Sequence, residues 1–219
     1  MVVQILKSVN TQLGNEINLI SVGENNSGKS VLIIGVFHGD EPQGKYLIEQ
    51  YLKTSPKDKK LFIPCLNPDG MSQNIRTNSN GVDLNRNFPT KNWGKNEGNN
   101  ADCDDISSNY YGGKSPAGEI ETRFVIDVIK EYQPNLILTI HAPYKVVNYD
   151  GPAKDIAEKI STIIGYPAIS SIGYPTPGSF GTYCGVERNI PTITLELDEK
   201  IPVENLIKPV FEIFDILTV

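Results

Sequence analysis

Histidine is nearly absent from this chain: its 219 residues hold two, His38 and His141, beside three cysteines and two methionines. Cys65, Cys103 and Cys184 are odd in number and scattered, so they imply no disulfide framework. No run approaches the roughly 18–20 apolar residues of a membrane helix, so no membrane partner is expected. The opening MVVQILKSVNTQLGN has no basic region, apolar core and small-residue cleavage site, so it does not read as a signal peptide. A cytoplasmic protein is the expectation. Basic charge is also short: 20 Lys and Arg against 26 Asp and Glu leave a net charge of −6, which argues against a nucleic-acid partner. An anionic small substrate stays open, because one or two local arginines suffice to hold a carboxylate. With no repeat, linker or biased tract, the length fits a single domain over residues 1–219.

What is present is an alternation of β-rich apolar runs and amphipathic segments. Strands are predicted at Val31–Phe37, Leu61–Leu66, Leu136–Ile140 and Thr192–Leu197. The first and third are almost continuously hydrophobic, as strands buried on both faces are. Helices are predicted near Pro42–Lys53, Ala117–Tyr132, Ala153–Ile164 and Val203–Ile216; the second carries an apolar stripe and meets a stop at Pro134. The fold class is α/β: a mixed, mostly parallel sheet flanked by helices on both faces. From Asn67 to Pro116 the chain is rich in Asn, Gly and Asp with little periodicity. A loop region that long in a compact domain is more often functional than idle.

Ligands of open α/β sheets bind beyond the carboxyl ends of the strands. There the sequence places His38-Gly39-Asp40-Glu41, Asn67-Pro68-Asp69-Gly70, His141 and Glu196. A histidine alone is usually structural. Two on one rim, one of them in His-x-x-Glu, form with Glu41 a set of two imidazoles and a carboxylate suited to zinc, with a fourth position left for water or substrate. Amide hydrolysis also needs a base for the water's proton. Glu196, set within the apolar run Ile193–Leu197, is a candidate. On spacing alone it reads equally as an outward-facing edge residue or a salt-bridged rim carboxylate.

The ordered set HGDE, NPDG, an arginine, GVDLNRNFP, the isolated IH and TLELDE resembles the zinc carboxypeptidases, over about His38 to Glu199. The segment GYPTPGSFG at 173–181, leading to Cys184, is similar to the murein peptide amidase branch, whose members cleave the γ-D-glutamyl–diaminopimelate bond of cell-wall tripeptides during recycling. The resemblance implies one zinc per chain, held by His38, Glu41 and His141, with Glu196 as general base. It implies that Arg76 polarises the scissile carbonyl, that Asn85 and Arg86 hold the substrate's terminal carboxylate, and that Tyr174 closes over it. The arginine role suits its planar fork, which pairs with a carboxylate through two parallel hydrogen bonds. The implied activity is that of a metallopeptidase cutting an amide next to a residue with a free carboxylate, on a small peptide. Two alternatives accompany it: an N-acyl amino acid deacylase resembling the aspartoacylase group, and a peptide-binding module without catalysis.

The chain departs from the family in its short length, in Ala-Pro-Tyr after His141, and in the insertion Trp93–Tyr111, which reads as a solvated acidic loop. One motif misleads. Gly23–Ser30, GENNSGKS, fits the phosphate-loop pattern, but a β run follows where that motif needs a helix, so no nucleotide is expected. Cys65 reads as core.

Overall fold

The computed structural model of the protein describes residues 3–23, 30–54, 56, 58–94 and 110–218. Among the described residues the eight strands are β1 (Gln4–Asn10), β2 (Glu16–Val22), β3 (Val31–Gly35), β4 (Lys60–Ile63), β5 (Leu136–His141), β6 (Val146–Asp150), β7 (Ala168–Ile169) and β8 (Thr192–Glu196). The five α-helices among the same residues are α1 (Gln43–Lys53), α2 (Pro68–Gln73), α3 (Ile120–Tyr132), α4 (Lys154–Ile164) and α5 (Ile207–Ile216). The strands form one sheet in the order β1-β2-β4-β3-β5-β8-β6-β7. The centre, β4-β3-β5-β8, is wholly parallel, while β1-β2, β2-β4 and β8-β6 pair antiparallel. The expected mixed, mostly parallel sheet with helices on both faces is what is found.

Continuous apolarity at the centre has a simple cause. All five residues of β3 and all six of β5 are buried, because both faces are covered. Alternation then sorts the side chains. Val31 and Ile33 join Leu47 and Tyr51 of α1, Ile160 of α4 and Phe214 of α5 on one face. Leu32 and Ile34 join Phe124, Val125 and Val128 of α3 on the other. Each large apolar side chain buried this way stabilises the fold by about 1.5–3 kcal/mol. Thus three helices cover one face, and α3 with the loops around Phe88 and Phe180 covers the other.

Helix α3 starts at Ile120 rather than at the expected Ala117. Ala117 has φ 53° and donates its N–H to Asn87 O at 2.6 Å, so these residues serve the 67–116 region instead of continuing the helix. Gln133, at φ 45° just before Pro134, ends α3 in a left-handed cap. Strands β1, β2, β6 and β7 and helix α2 carry no assignment from the sequence. A strand, β3, follows Ser30 directly, and residues 24–29 of the phosphate-loop look-alike lie outside the described residues. No described helix is long and apolar enough to cross a membrane.

Candidate active site

The HGDE and NPDG motifs are locked together at the carboxyl ends of β3 and β4. Leu66 donates to Gly35 O at 3.0 Å and Asn67 to Val36 O at 2.9 Å, which carries the β3–β4 pairing past the strand ends. Val36 sits at φ 56°, where a β-branched residue is an outlier, and these bonds hold it there. A Cβ on Gly39 would stand 2.0 Å from Gly70 C, so glycine at 39 lets the first motif lie against α2. Asn67 caps that helix through Gly70 N at 2.9 Å, and its amide also reaches Phe37 O and Arg76 O.

Three potential ligands converge from this scaffold. His38 and Glu41 sit between β3 and α1, and His141 ends β5. The two Nδ1 atoms are 3.3 Å apart; His38 Nδ1 lies 2.8 Å from Glu41 Oε1 and His141 Nδ1 3.1 Å from Glu41 Oε2. All the ligand atoms of the trio fall within 4.8 Å of one another, and each residue is less than 9 % exposed. Ligand atoms on a tetrahedral zinc with bonds of about 2.0–2.1 Å stand roughly 3.3 Å from each other, so the donor set fits a zinc ion. Burial disfavours the charged imidazole, yet the Glu41 and Asp83 carboxylates together outweigh it and hold His38 up to about 9. Burial alone would raise Glu41, but the two histidines together hold it well below the usual carboxylate range. A cation bound among these groups takes over the role of that proton.

Asp83, fully buried in GVDLNRN, organises the wall next to the trio. One oxygen accepts from His38 Nε2 at 3.2 Å and from Asn85 N at 2.8 Å; the other accepts from Arg76 Nε and Nη2 at 3.1 and 3.0 Å. An Nε2–H given to Asp83 leaves the Nδ1 lone pair of His38 turned towards Glu41 and His141, the carboxylate–histidine arrangement common behind metal ligands. Arg76 Nη1 comes to 3.7 Å from Glu41 Oε1. The sequence shows Asp83 only as a member of GVDLNRNFP, two residues before Asn85; its contact with His38 lies far off in the chain, and spacing does not reveal it.

All eight residues singled out from the sequence line one cavity of about 370 Å³: His38, Glu41, Arg76, Asn85, Arg86, His141, Tyr174 and Glu196. Parallel pairing of β5 with β8 sets Glu196 directly beside His141. Glu196 is 7 % exposed, its Oε2 has no hydrogen-bond partner, and burial raises its pKa. On β8 it faces the cavity, which decides against the outward-facing edge reading. Across the cavity, Asn85 Oδ1 accepts from Phe180 N at 2.8 Å. Buried Arg86 gives Nη1 to Asn85 O at 2.7 Å and keeps an unpartnered Nε. Buried donors without acceptors are costly unless a ligand supplies them.

Tyr174 is half-buried at the mouth, where its hydroxyl pairs with that of Tyr144; burial, then Tyr144, pushes its pKa up. Tyr144 belongs to the Ala-Pro-Tyr departure, so that departure shapes the entrance. Of the Trp93–Tyr111 insertion, residues 95–109 lie outside the described residues, and with them Cys103 and the aspartates at 102, 104 and 105. At its end Tyr110 lies over two guanidinium groups, 5.0 Å from Arg76 Cζ and 5.7 Å from that of Arg86. Nothing in the sequence pattern points to this contact. Cys65 and Cys184 are buried, and burial raises both thiols, to about 12 in Cys65.

Comparison with known proteins agrees with this geometry. A zinc carboxypeptidase family profile matches residues 2–158. Murein peptide amidase A of Escherichia coli K12 is 34% identical over 175 residues, covering 78% of this chain and 72% of that protein. The crystal structure of the murein-tripeptide amidase from Escherichia coli O157 superposes with a TM-score of 0.80 at 29% identity, over 95% of this chain and 89% of that one. Carboxypeptidase A of Helicoverpa armigera shares the fold at a TM-score of 0.76 and 18% identity, over 96% of this chain and 66% of that one. With the family profile spanning His38, Glu41 and His141 and the superposition extending past Glu196, this chain is a metallopeptidase belonging to the zinc carboxypeptidase family.

Proposed function

We propose that the protein is a single zinc-dependent catalytic domain, residues 1–219, that cleaves an amide next to a residue bearing a free carboxylate, with the γ-D-glutamyl–meso-diaminopimelate bond of a murein tripeptide as substrate. One observation carries the reading: a single cavity holds a three-ligand cluster, an unpartnered buried carboxylate beside it, and a buried arginine with an unpartnered donor across from both. The relatives named for murein peptides support the substrate class.

His38, Glu41 and His141 would hold one zinc per chain, which would supply Lewis acidity at the amide carbonyl and lower the pKa of a water towards ~7. Arg86 and Asn85 fix the free carboxylate, the guanidinium through charge-assisted hydrogen bonds and the Asn85 amide through the N–H₂ left free when Phe180 takes its oxygen. That places the scissile amide between Arg76 and Glu196. Arg76, its fork braced on Asp83, donates to the carbonyl oxygen as negative charge builds there. Glu196 accepts a proton from the attacking water and delivers it to the nitrogen of the departing amine. Its Oε2, buried with no hydrogen-bond partner, is open to that exchange. Tyr174, at the mouth, closes over the bound peptide and limits water access. A cytoplasmic site fits a role in recycling cell-wall peptides.

The test is zinc content measured with hydrolysis of L-Ala-γ-D-Glu–meso-diaminopimelate by mass spectrometry. One zinc per chain and free diaminopimelate are expected. Full zinc with an intact tripeptide sinks the murein substrate.

A further inference from the structure

The two arginines of the cavity are held in unequal ways. Arg76 gives Nε and Nη2 to one oxygen of buried Asp83, at 3.1 and 3.0 Å, and its Nη1 stands 3.7 Å from Glu41 Oε1. Two donors on one carboxylate fix both the place and the plane of a guanidinium. Arg86 has no such brace. Its Nη1 donates to Asn85 O at 2.7 Å, its Nε is buried without a partner, and it forms no ion pair among the described residues. One hydrogen bond fixes a point of the fork and leaves its plane free to turn.

The second constraint on Arg86 comes from Tyr110, which also lines the cavity. Its ring centroid lies 5.7 Å from Arg86 Cζ and 5.0 Å from Arg76 Cζ, both within the roughly 6 Å over which a ring face attracts a cation. A ring suits this place better than an acidic side chain. A carboxylate would neutralise Arg86 and occupy the N–H donors that a substrate carboxylate needs. An aromatic face engages the flat of the guanidinium and leaves its edge free.

Tyr110 is carried by the motif that it covers. Beside it, Tyr111 is buried and its carbonyl accepts from Asp83 N at 2.8 Å. Asn87 Nδ2 donates to Gly112 O at 2.7 Å. A Cβ on Gly112 would stand 2.8 Å from Arg86 O, so glycine there lets the segment lie on the Arg86 backbone. Asp83, Arg86 and Asn87 of GVDLNRNFP thus anchor residues 111 and 112 and, through them, the ring. Tyr110 falls in the stretch 93–111, where the chain departs from the zinc carboxypeptidase pattern, so the contact is a feature of this chain.

We propose that Tyr110 is a positioning residue: its ring holds the plane of the Arg86 guanidinium, so that the unpartnered Nε meets the substrate's carboxylate in one orientation. Arg76, already braced on Asp83, gains less from it. The proposal rests on the proposed function only in giving Arg86 that carboxylate, because the brace itself belongs to the protein without substrate. Tyr110 is 37 % exposed, so shortening it opens no cavity in the core.

The brace is read first with no substrate present. In the zinc-loaded protein, side-chain NMR measures rotation about the Nε–Cζ bond of each arginine, and single Arg86→Ala and Arg76→Ala variants identify the two signals. Tyr110→Leu is expected to speed the rotation of Arg86 by roughly 3- to 30-fold, to change Arg76 less and to leave zinc content unchanged, while Tyr110→Phe matches the unaltered protein. In hydrolysis of the murein tripeptide, Tyr110→Leu should raise KM by a similar factor with a smaller fall in kcat, and should add little to Arg86→Ala. Unchanged rotation of Arg86 in Tyr110→Leu overturns the proposal, as does a rise in KM that is equally large in the Arg86→Ala background. A fall in KM overturns it too, because the ring is then an obstacle. An intact tripeptide, with Arg86 rotation still governed by Tyr110, removes the proposed substrate and keeps the brace.

Discussion

The metal-ligand end of the cavity and its substrate end are built on opposite rules. Around His38 the polar atoms have partners: Glu41 spans the two histidines, and Asp83 holds His38, Arg76 and Asn85 together while being fully buried itself. Along the rest of the cavity, from Glu196 beside His141 to the substrate end, polar atoms are buried and left open, namely Glu196 Oε2, Arg86 Nε and Asn148 Oδ1. Closed networks keep their geometry in the absence of ligand, as a metal site requires. Open groups carry a desolvation cost of about 1–3 kcal/mol each that a ligand can relieve. Where the groups are tied, the site is pre-arranged; where they are open, it recognises or reacts.

The sharpest break in that contrast is Glu196→Gln. The side chain keeps its size but cannot take the water's proton, so kcat should fall by roughly 10²–10⁴-fold with zinc content unchanged. A smaller loss in steady-state assays of the metal-loaded protein would remove Glu196 as the base. Next in size is Arg86→Ala, which should lower kcat/KM by on the order of 10- to 100-fold, mainly through KM, because charged hydrogen bonds to the carboxylate go. A substrate amidated at that carboxylate should lose the same factor with the unaltered enzyme and lose little more with the variant.

The tied end is tested through metal affinity. Asp83→Asn should weaken zinc binding by about 10- to 100-fold, because His38 loses the group that orients it. The pH dependence has a definite sign. In the metal-free protein the pKa of His38 lies above its ordinary value, up to about 9, so its proton is fully present near pH 6 and is lost as pH approaches 9. Zinc competes with that proton, so affinity should rise with pH across this window, more steeply in the unaltered protein than in the variant. Titration against a competing chelator at several pH values reads both. A flat profile would contradict the tied network.

Legibility differed along the chain for physical reasons. The central strands were readable because burial on both faces demands continuous apolar runs, as in VLIIG and LILTI. Strands at or next to the sheet's edges need no such signal. β1 is mostly exposed, with Ile5 at 57 %, and β6 buries only Val147 fully, so their short sequences resemble loops. β2 does alternate, with Ile17 and Leu19 buried, but seven residues of period two between turns are a weak pattern.

Local order along the chain was enough to place a histidine, a His-x-x-Glu and a glutamate at the carboxyl ends of buried strands, because strand direction and strand end are local properties. It settled the residue types available for metal binding, anion binding and proton transfer. Only the tertiary structure decided which of them meet. The parallel register of β5 and β8 sets Glu196 beside His141, 55 residues away, and the antiparallel turn-back of β6 brings Asp150 under the same cavity. Asp83 and Tyr110 take their meaning from atoms supplied by other segments, His38 for the first and the Arg76 and Arg86 guanidinium groups for the second. Hydrogen bonds and Coulomb interactions act over a few ångströms of space, and distance along the chain does not enter them.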